Sequence, residues 1–92
     1  MTNPVNLSNA SSEASQLNQE LRALLALVFG RQVQEVPADA ALGAYTPWDS
    51  LGHIEVMMAV EAKFGVSVPS NRLAELVSLE LIAEFLREHG HR

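Results

Sequence analysis

At 92 residues the chain is long enough for one hydrophobic core and too short for a catalytic cleft roofed by a second domain, and its 48% apolar and 18% charged residues mark a globular domain rather than a disordered segment. Eleven acids against six scattered bases give a net charge of −5, which argues against nucleic acid, since phosphate backbones need a cationic stripe, and points to protein partners with basic surfaces. The sequence has no cysteine, which excludes disulfides, thiolate metal sites and a cysteine nucleophile, so any thiol chemistry has to be imported.

Residues 1–11 are small and polar around Pro4 and read as a flexible lead-in, with residues 12–92 as a single domain. They lack the basic region and apolar run of a secretory signal, and no stretch approaches the roughly 20 apolar residues of a membrane span, so the cytoplasm is the expected location. From Ser12 or Ser15, either of which suits a cap, Leu17, Leu21, Leu24, Leu25 and Val28 recur at helical spacing up to Gly30. Between Gly30 and Ser50 lies a long loop with Pro37, Gly43 and Pro47. Val33, Val36, Leu42, Tyr45 and Trp48 are its candidate anchors, and Ala38 to Leu42 is a candidate helical turn.

A second helix is predicted from Ser50 to Phe64, stopped by Gly65. Val66 to Val68 alternates like a strand, but it is short, meets Pro69 and has no partner, so it reads as an extended connector. Ser70 suits the cap of a short turn through Leu73 to Leu76. Ser78 suits the cap of a last helix with Leu79, Ile82, Ala83, Phe85 and Leu86 inward, Arg87 and His89 at its negative end and Gly90 as its stop. The expected fold is all-α: a small bundle of three main helices and a short one, with a long loop between the first and second helices.

The second helix carries two apolar stripes. Val56, Met57, Val60 and Phe64 fit one face, and Leu51, Ile54 and Met58 fit another. If the second stripe is open, flanked by Glu55 and Glu61, it is a docking surface whose flexible methionine suits several partners; if the helix is central, both stripes are core. Periodicity alone leaves the two readings level.

Trp48, Asp49, Ser50 and Leu51 stand where the loop enters this helix, with Ser50 at or beside the N-cap. A phosphodiester on its hydroxyl would lie against free backbone N–H groups at the positive end of the helix dipole. For an isolated serine in this setting the ordinary role is a cap. The longer pattern is more specific: Asp49-Ser50-Leu51, Ile54-Glu55, Met57, Glu61, Phe64-Gly65, Val68-Pro69 and the late apolar helix, in order.

That pattern, over roughly residues 15–88, resembles the acyl carrier protein family, whose members hold acyl groups as thioesters on a 4′-phosphopantetheine arm. The resemblance implies a four-helix fold in which Ser50 receives the arm from coenzyme A through a separate Mg²⁺-dependent phosphopantetheinyl transferase, with Asp49 assisting. It implies partner docking on Leu51, Ile54, Glu55 and Met58, and a monomer that is not itself an enzyme. Its partners would be the transferase, an acyl- or aminoacyl-loading ligase, and downstream transferases or synthases. Fatty-acid carriers place acidic residues where this chain has Gly52-His53 and Ala62-Lys63. Gly52 and Trp48 are more similar to free-standing carriers of specialised pathways, D-alanyl and other aminoacyl carriers among them, so the cargo stays open between fatty acyl, specialised acyl and amino acid.

Other readings use the same residues. Asp49, Ser50 and His53 resemble a hydrolase triad, but the strand that precedes a nucleophile elbow is missing, and His53 reads as a surface or capping residue. An unmodified helical adaptor would use the outer stripe without any prosthetic group. His89 and His91 in a terminal tail make poor metal ligands, and no metal is expected. Trp48 and Tyr45 read as plugs of the loop onto the core, with gating of the arm as the alternative.

Overall fold

A computed structural model describes residues 5–89, with side chains from Ser15 onward. Helix α1, Val5–Phe29, turns Leu17, Leu21, Leu24 and Leu25 inward. It starts earlier than Ser12 or Ser15, because neither glycine nor proline interrupts Val5 to Phe29 and a helix anchored by buried leucines propagates outward at little cost per residue. The rest of the expected lead-in, residues 1–4, lies outside the described residues. Gly30 ends α1 at φ +66°, and the Arg31 N–H closes the last turn on the Ala26 carbonyl at 2.8 Å.

The loop is ordered by hydrogen bonds to both ends of the chain. Arg22 on α1 donates from Nε to the Val36 carbonyl at 2.8 Å and from its terminal nitrogen to the Val33 carbonyl at 3.3 Å. These bonds hold a 3₁₀ turn at Val33–Glu35. The candidate turn at Ala38 to Leu42 does not form a helix. Part of its backbone bonds to the start of the last helix instead, with Leu42 N–H on the Val77 carbonyl at 2.8 Å and Leu79 N–H on the Ala40 carbonyl at 3.0 Å. Of the expected anchors, Val36 and Trp48 are fully buried, Leu42 and Tyr45 half-buried, and Val33 stays exposed.

Helix α2, Ser50–Phe64, ends at Gly65, which takes the left-handed conformation at φ +67° and donates its N–H to the Glu61 carbonyl. Helix α3 is the single turn Ser70–Leu73. Its N-cap is Pro69, which makes no side-chain cap, so the expected Ser70 cap is absent: the serine is already the first helical residue. Ser78 does cap helix α4, Leu79–Glu88, accepting from the Leu81 N–H at 3.1 Å. Leu79, Ile82, Ala83, Phe85 and Leu86 all point into the core. Arg87 lies in the last turn, and the His89 ring stacks on Phe85 at 4.3 Å. Gly90 lies outside the described residues.

α1 packs on both α2 and α4, and Trp48, Val56, Val60, Ile82 and Phe85 fill the space between. Among the described residues there is no strand, only two isolated bridges, Ala41 with Ser78 and Leu42 with Tyr45. The fold is the expected all-α bundle of three main helices and a short one. None of its described helices is long and apolar enough to cross a membrane.

Candidate functional site at the start of α2

Asp49 is the N-cap of α2: its backbone is extended, and Oδ1 accepts from the Gly52 N–H at 2.8 Å. The first bond of the helix ladder runs from the His53 N–H to the Asp49 carbonyl at 2.8 Å. Ser50 is therefore the first helical residue, and it is exposed. Helical geometry gives the Ser50 and Leu51 N–H groups no acceptor within α2, and no acidic side chain occupies its first turn. A phosphate ester on Ser50 Oγ fits here: the hydroxyl is reachable, and the positive end of the helix stabilises an anion.

Leu51 is 75% exposed, Ile54 51% and Met58 62%, with exposed Glu55 beside them. Val56, Met57 and Val60 are buried and Phe64 is half-buried. The choice that periodicity left open is thereby made, and the outer stripe is uncovered. Of its two expected acidic flanks only Glu55 is exposed on the rim. Glu61 Oε2 instead accepts from the Val68 N–H at 2.7 Å, fastening the connector to α3.

His53 differs from its expected role as a surface or capping residue. It is only 7% exposed, and both ring nitrogens are used. Nδ1 accepts from the Trp48 indole N–H at 3.1 Å, and Nε2 donates to the Leu73 carbonyl at 2.7 Å. A histidine so committed has no lone pair for Ser50, which removes the base a hydrolase triad requires. Trp48 is the plug that was expected. Tyr45 is half-buried, edge-on to Phe29 at 6.0 Å.

Gly52 was not singled out for packing. A Cβ there would lie 2.8 Å from Phe29 Cε1 and 3.2 Å from the Pro47 carbonyl oxygen, so the start of α2 approaches α1 and the loop through the missing side chain. The signal was in the sequence, since a glycine inside a helix costs about 1 kcal/mol relative to alanine and calls for a local reason. No group of three or more histidine or acidic side chains is placed to hold a metal among the described residues. His91 lies outside them.

Residues 19–86 match the family model described as "Phosphopantetheine attachment site". Over 80 residues, 86% of this chain and 87% of the other, the chain is 32% identical to the acyl carrier protein of Streptomyces coelicolor. It belongs to the acyl carrier protein family. An acyl carrier protein of Rickettsia bellii is 26% identical over 78 residues, 85% of this chain and 91% of its own. The mitochondrial acyl carrier protein 2 of Arabidopsis thaliana is 39% identical over a shorter stretch of 41 residues, 45% of this chain. As an acyl carrier protein the chain is a non-catalytic carrier whose cofactor is covalent 4′-phosphopantetheine. The exposed Ser50 and the positive end of the α2 dipole fit that group.

Proposed function

We propose that Ser50 bears the phosphopantetheine arm and that the chain delivers acyl or aminoacyl groups, held as thioesters, to partner enzymes. The observation that carries this reading is the exposed Ser50 as first residue of α2, next to the uncovered strip of Leu51, Ile54 and Met58. In the loading reaction Ser50 Oγ forms a new O–P bond while the pyrophosphate bond of coenzyme A breaks; 3′,5′-ADP leaves and the serine proton passes to a base of the transferase. Asp49 has one carboxylate oxygen on the Gly52 N–H, and its other oxygen is free to meet the Mg²⁺ that the transferase brings. When bound, the arm supplies a terminal thiol that holds cargo at high local concentration near each docked enzyme.

Leu51, Ile54, Glu55 and Met58 form the docking strip in this reading, for the transferase, for the acyl- or aminoacyl-loading ligase and for the downstream transferases or synthases. The setting is a cytoplasmic monomer whose strip is open to enzymes. Incubation of the apo chain with coenzyme A, Mg²⁺ and a broad-specificity transferase tests it by intact mass. The wild-type chain gains one phosphopantetheinyl group and Ser50→Ala gains none. A wild-type chain without mass gain, or a Ser50→Ala chain that is still modified, refutes the assignment; the first result returns the strip to an unmodified adaptor.

A further inference from the structure

The indole of Trp48 is only a donor, so Nδ1 of His53 is the acceptor of their 3.1 Å bond, and the proton of the neutral ring sits on Nε2, facing the Leu73 carbonyl. The ring centroids are 6.0 Å apart and the planes inclined at 27°, the near-coplanar arrangement that an in-plane bond requires. His53 thus joins the residue two places before Ser50 to the last residue of α3, from the side of α2 opposite Leu51, Ile54 and Met58. The Trp48 backbone is held as well: its N–H donates to the Tyr45 carbonyl at 2.8 Å, and its carbonyl accepts from the Gly43 N–H at 3.1 Å. The imidazole adds a buried side-chain bond between this closed loop end and α2, beside the Asp49 cap on the Gly52 N–H. Trp48 precedes Asp49, so its placement bears on the path of the backbone into the Asp49–Ser50 turn.

We infer that His53 is a positioning residue for modification of Ser50: by accepting the Trp48 indole it holds the Asp49–Ser50 turn in the shape on which the transferase acts. This rests on the reading that Ser50 takes the arm. The transferase, docked on the outer strip, meets a turn whose backbone is already held, so the effect belongs in the chemical step rather than in binding.

Two isosteres separate the two bonds of the ring. His53→Gln places an amide where Nε2 was, keeping the link to Leu73 and losing the acceptor for Trp48. His53→Asn places an acceptor where Nδ1 was and loses the link to Leu73. The chain has one tryptophan, so a single indole N–H resonance in a nitrogen-correlated NMR spectrum reports the Trp48 bond independently of any modification. In coenzyme A-dependent modification of the apo chains, His53→Gln is expected to shift that resonance and to lower kcat about tenfold, with KM for the carrier held within about twofold. His53→Asn is expected to recover most of both.

A His53→Gln chain with a shifted indole resonance and wild-type kcat overturns the inference. So does a loss of equal size in the Gln and Asn variants, which would make the ring a mere core filler. Should His53→Gln fail to fold by circular dichroism, Trp48→Phe removes the donor instead, and wild-type kcat in that variant is equally fatal. Failure of wild-type modification sinks the Ser50 reading and this inference with it, and is told apart because it shows in the wild-type chain before any variant is compared.

Discussion

At the scale of single residues, Asp49 has two separable duties, because its side chain is both a cap and a charge. Asparagine caps a helix as well as aspartate does, so Asp49→Asn is expected to leave the thermal midpoint nearly unchanged, whereas Asp49→Ala costs about 1 kcal/mol through the lost bond to the Gly52 N–H. If the carboxylate also meets Mg²⁺ during loading, both variants slow the transferase reaction; melting curves and initial rates on the same samples separate the two duties. Gly52 gives a second test. Alanine there gains helix propensity of up to about 1 kcal/mol. Its Cβ meets Phe29 Cε1 at 2.8 Å and the Pro47 carbonyl oxygen at 3.2 Å, and such overpacking costs about 1–3 kcal/mol. The clash is larger, since the backbone of Pro47 has little room to yield. Gly52→Ala is therefore expected to be destabilising by about 1 kcal/mol in a chemical denaturation curve, and a stabilised variant would refute the close approach. His53 shows where residue-level reading stops. Its partners are an indole five positions earlier and a backbone carbonyl twenty positions later, and a carbonyl leaves no mark in a sequence.

At the scale of elements, α2 was legible at both ends because its signals are local: its start was read at Ser50, which the structure places one residue after the Asp49 cap, and a left-handed glycine closes it at Gly65. α4 was legible for the same reason, with Ser78 at its start and a single apolar face. The loop was not. The stretch from Ala40 to Leu42 makes local turn bonds with Pro37, Ala44 and Tyr45, but it also bonds to Val77 and Leu79, and those longer bonds are made by the docking of α4. The two stripes of α2 were visible as stripes, but which one faces water depends on where α1 lies. With Leu51 shown to be exposed, its replacement tests the strip directly. Leu51→Glu puts a carboxylate in the first turn, where the helix dipole favours it, and removes little buried area, so stability is expected to stay within about 0.5 kcal/mol. If Leu51 is an anchor for partners, KM of the transferase or ligase for this carrier rises roughly ten- to thirtyfold. A collapsed circular dichroism spectrum would instead make Leu51 a core residue, and an unchanged KM would remove it from the docking strip.

At the scale of the whole molecule, stability and delivery are assigned to different surfaces. The core is built where α1, α2 and α4 meet beneath the Trp48 plug, while the serine and the strip lie outside it. A chain of this size has one core to rely on, so a large-to-small change at its centre is felt throughout. Ile82 is fully buried on α4, the helix that carries none of the proposed site residues. Ile82→Ala removes buried methyl groups and leaves a cavity, at a cost of about 3 kcal/mol, which lowers the melting midpoint by roughly 12–24 °C for a domain of this length. Met58→Ala removes a side chain of similar size that is mostly in water, and its midpoint is expected to move by only a few degrees. Loading and partner kinetics should order the two variants the other way. Well below its midpoint, Ile82→Ala is expected to accept the arm at the wild-type rate, while Met58→Ala, stable as it is, shows a raised KM with enzymes that use the strip. Melting curves combined with transferase and ligase kinetics decide the matter. If Ile82→Ala slows loading while still folded, the core and the Ser50 turn are mechanically coupled, and the division between an inner surface for folding and an outer one for delivery does not hold.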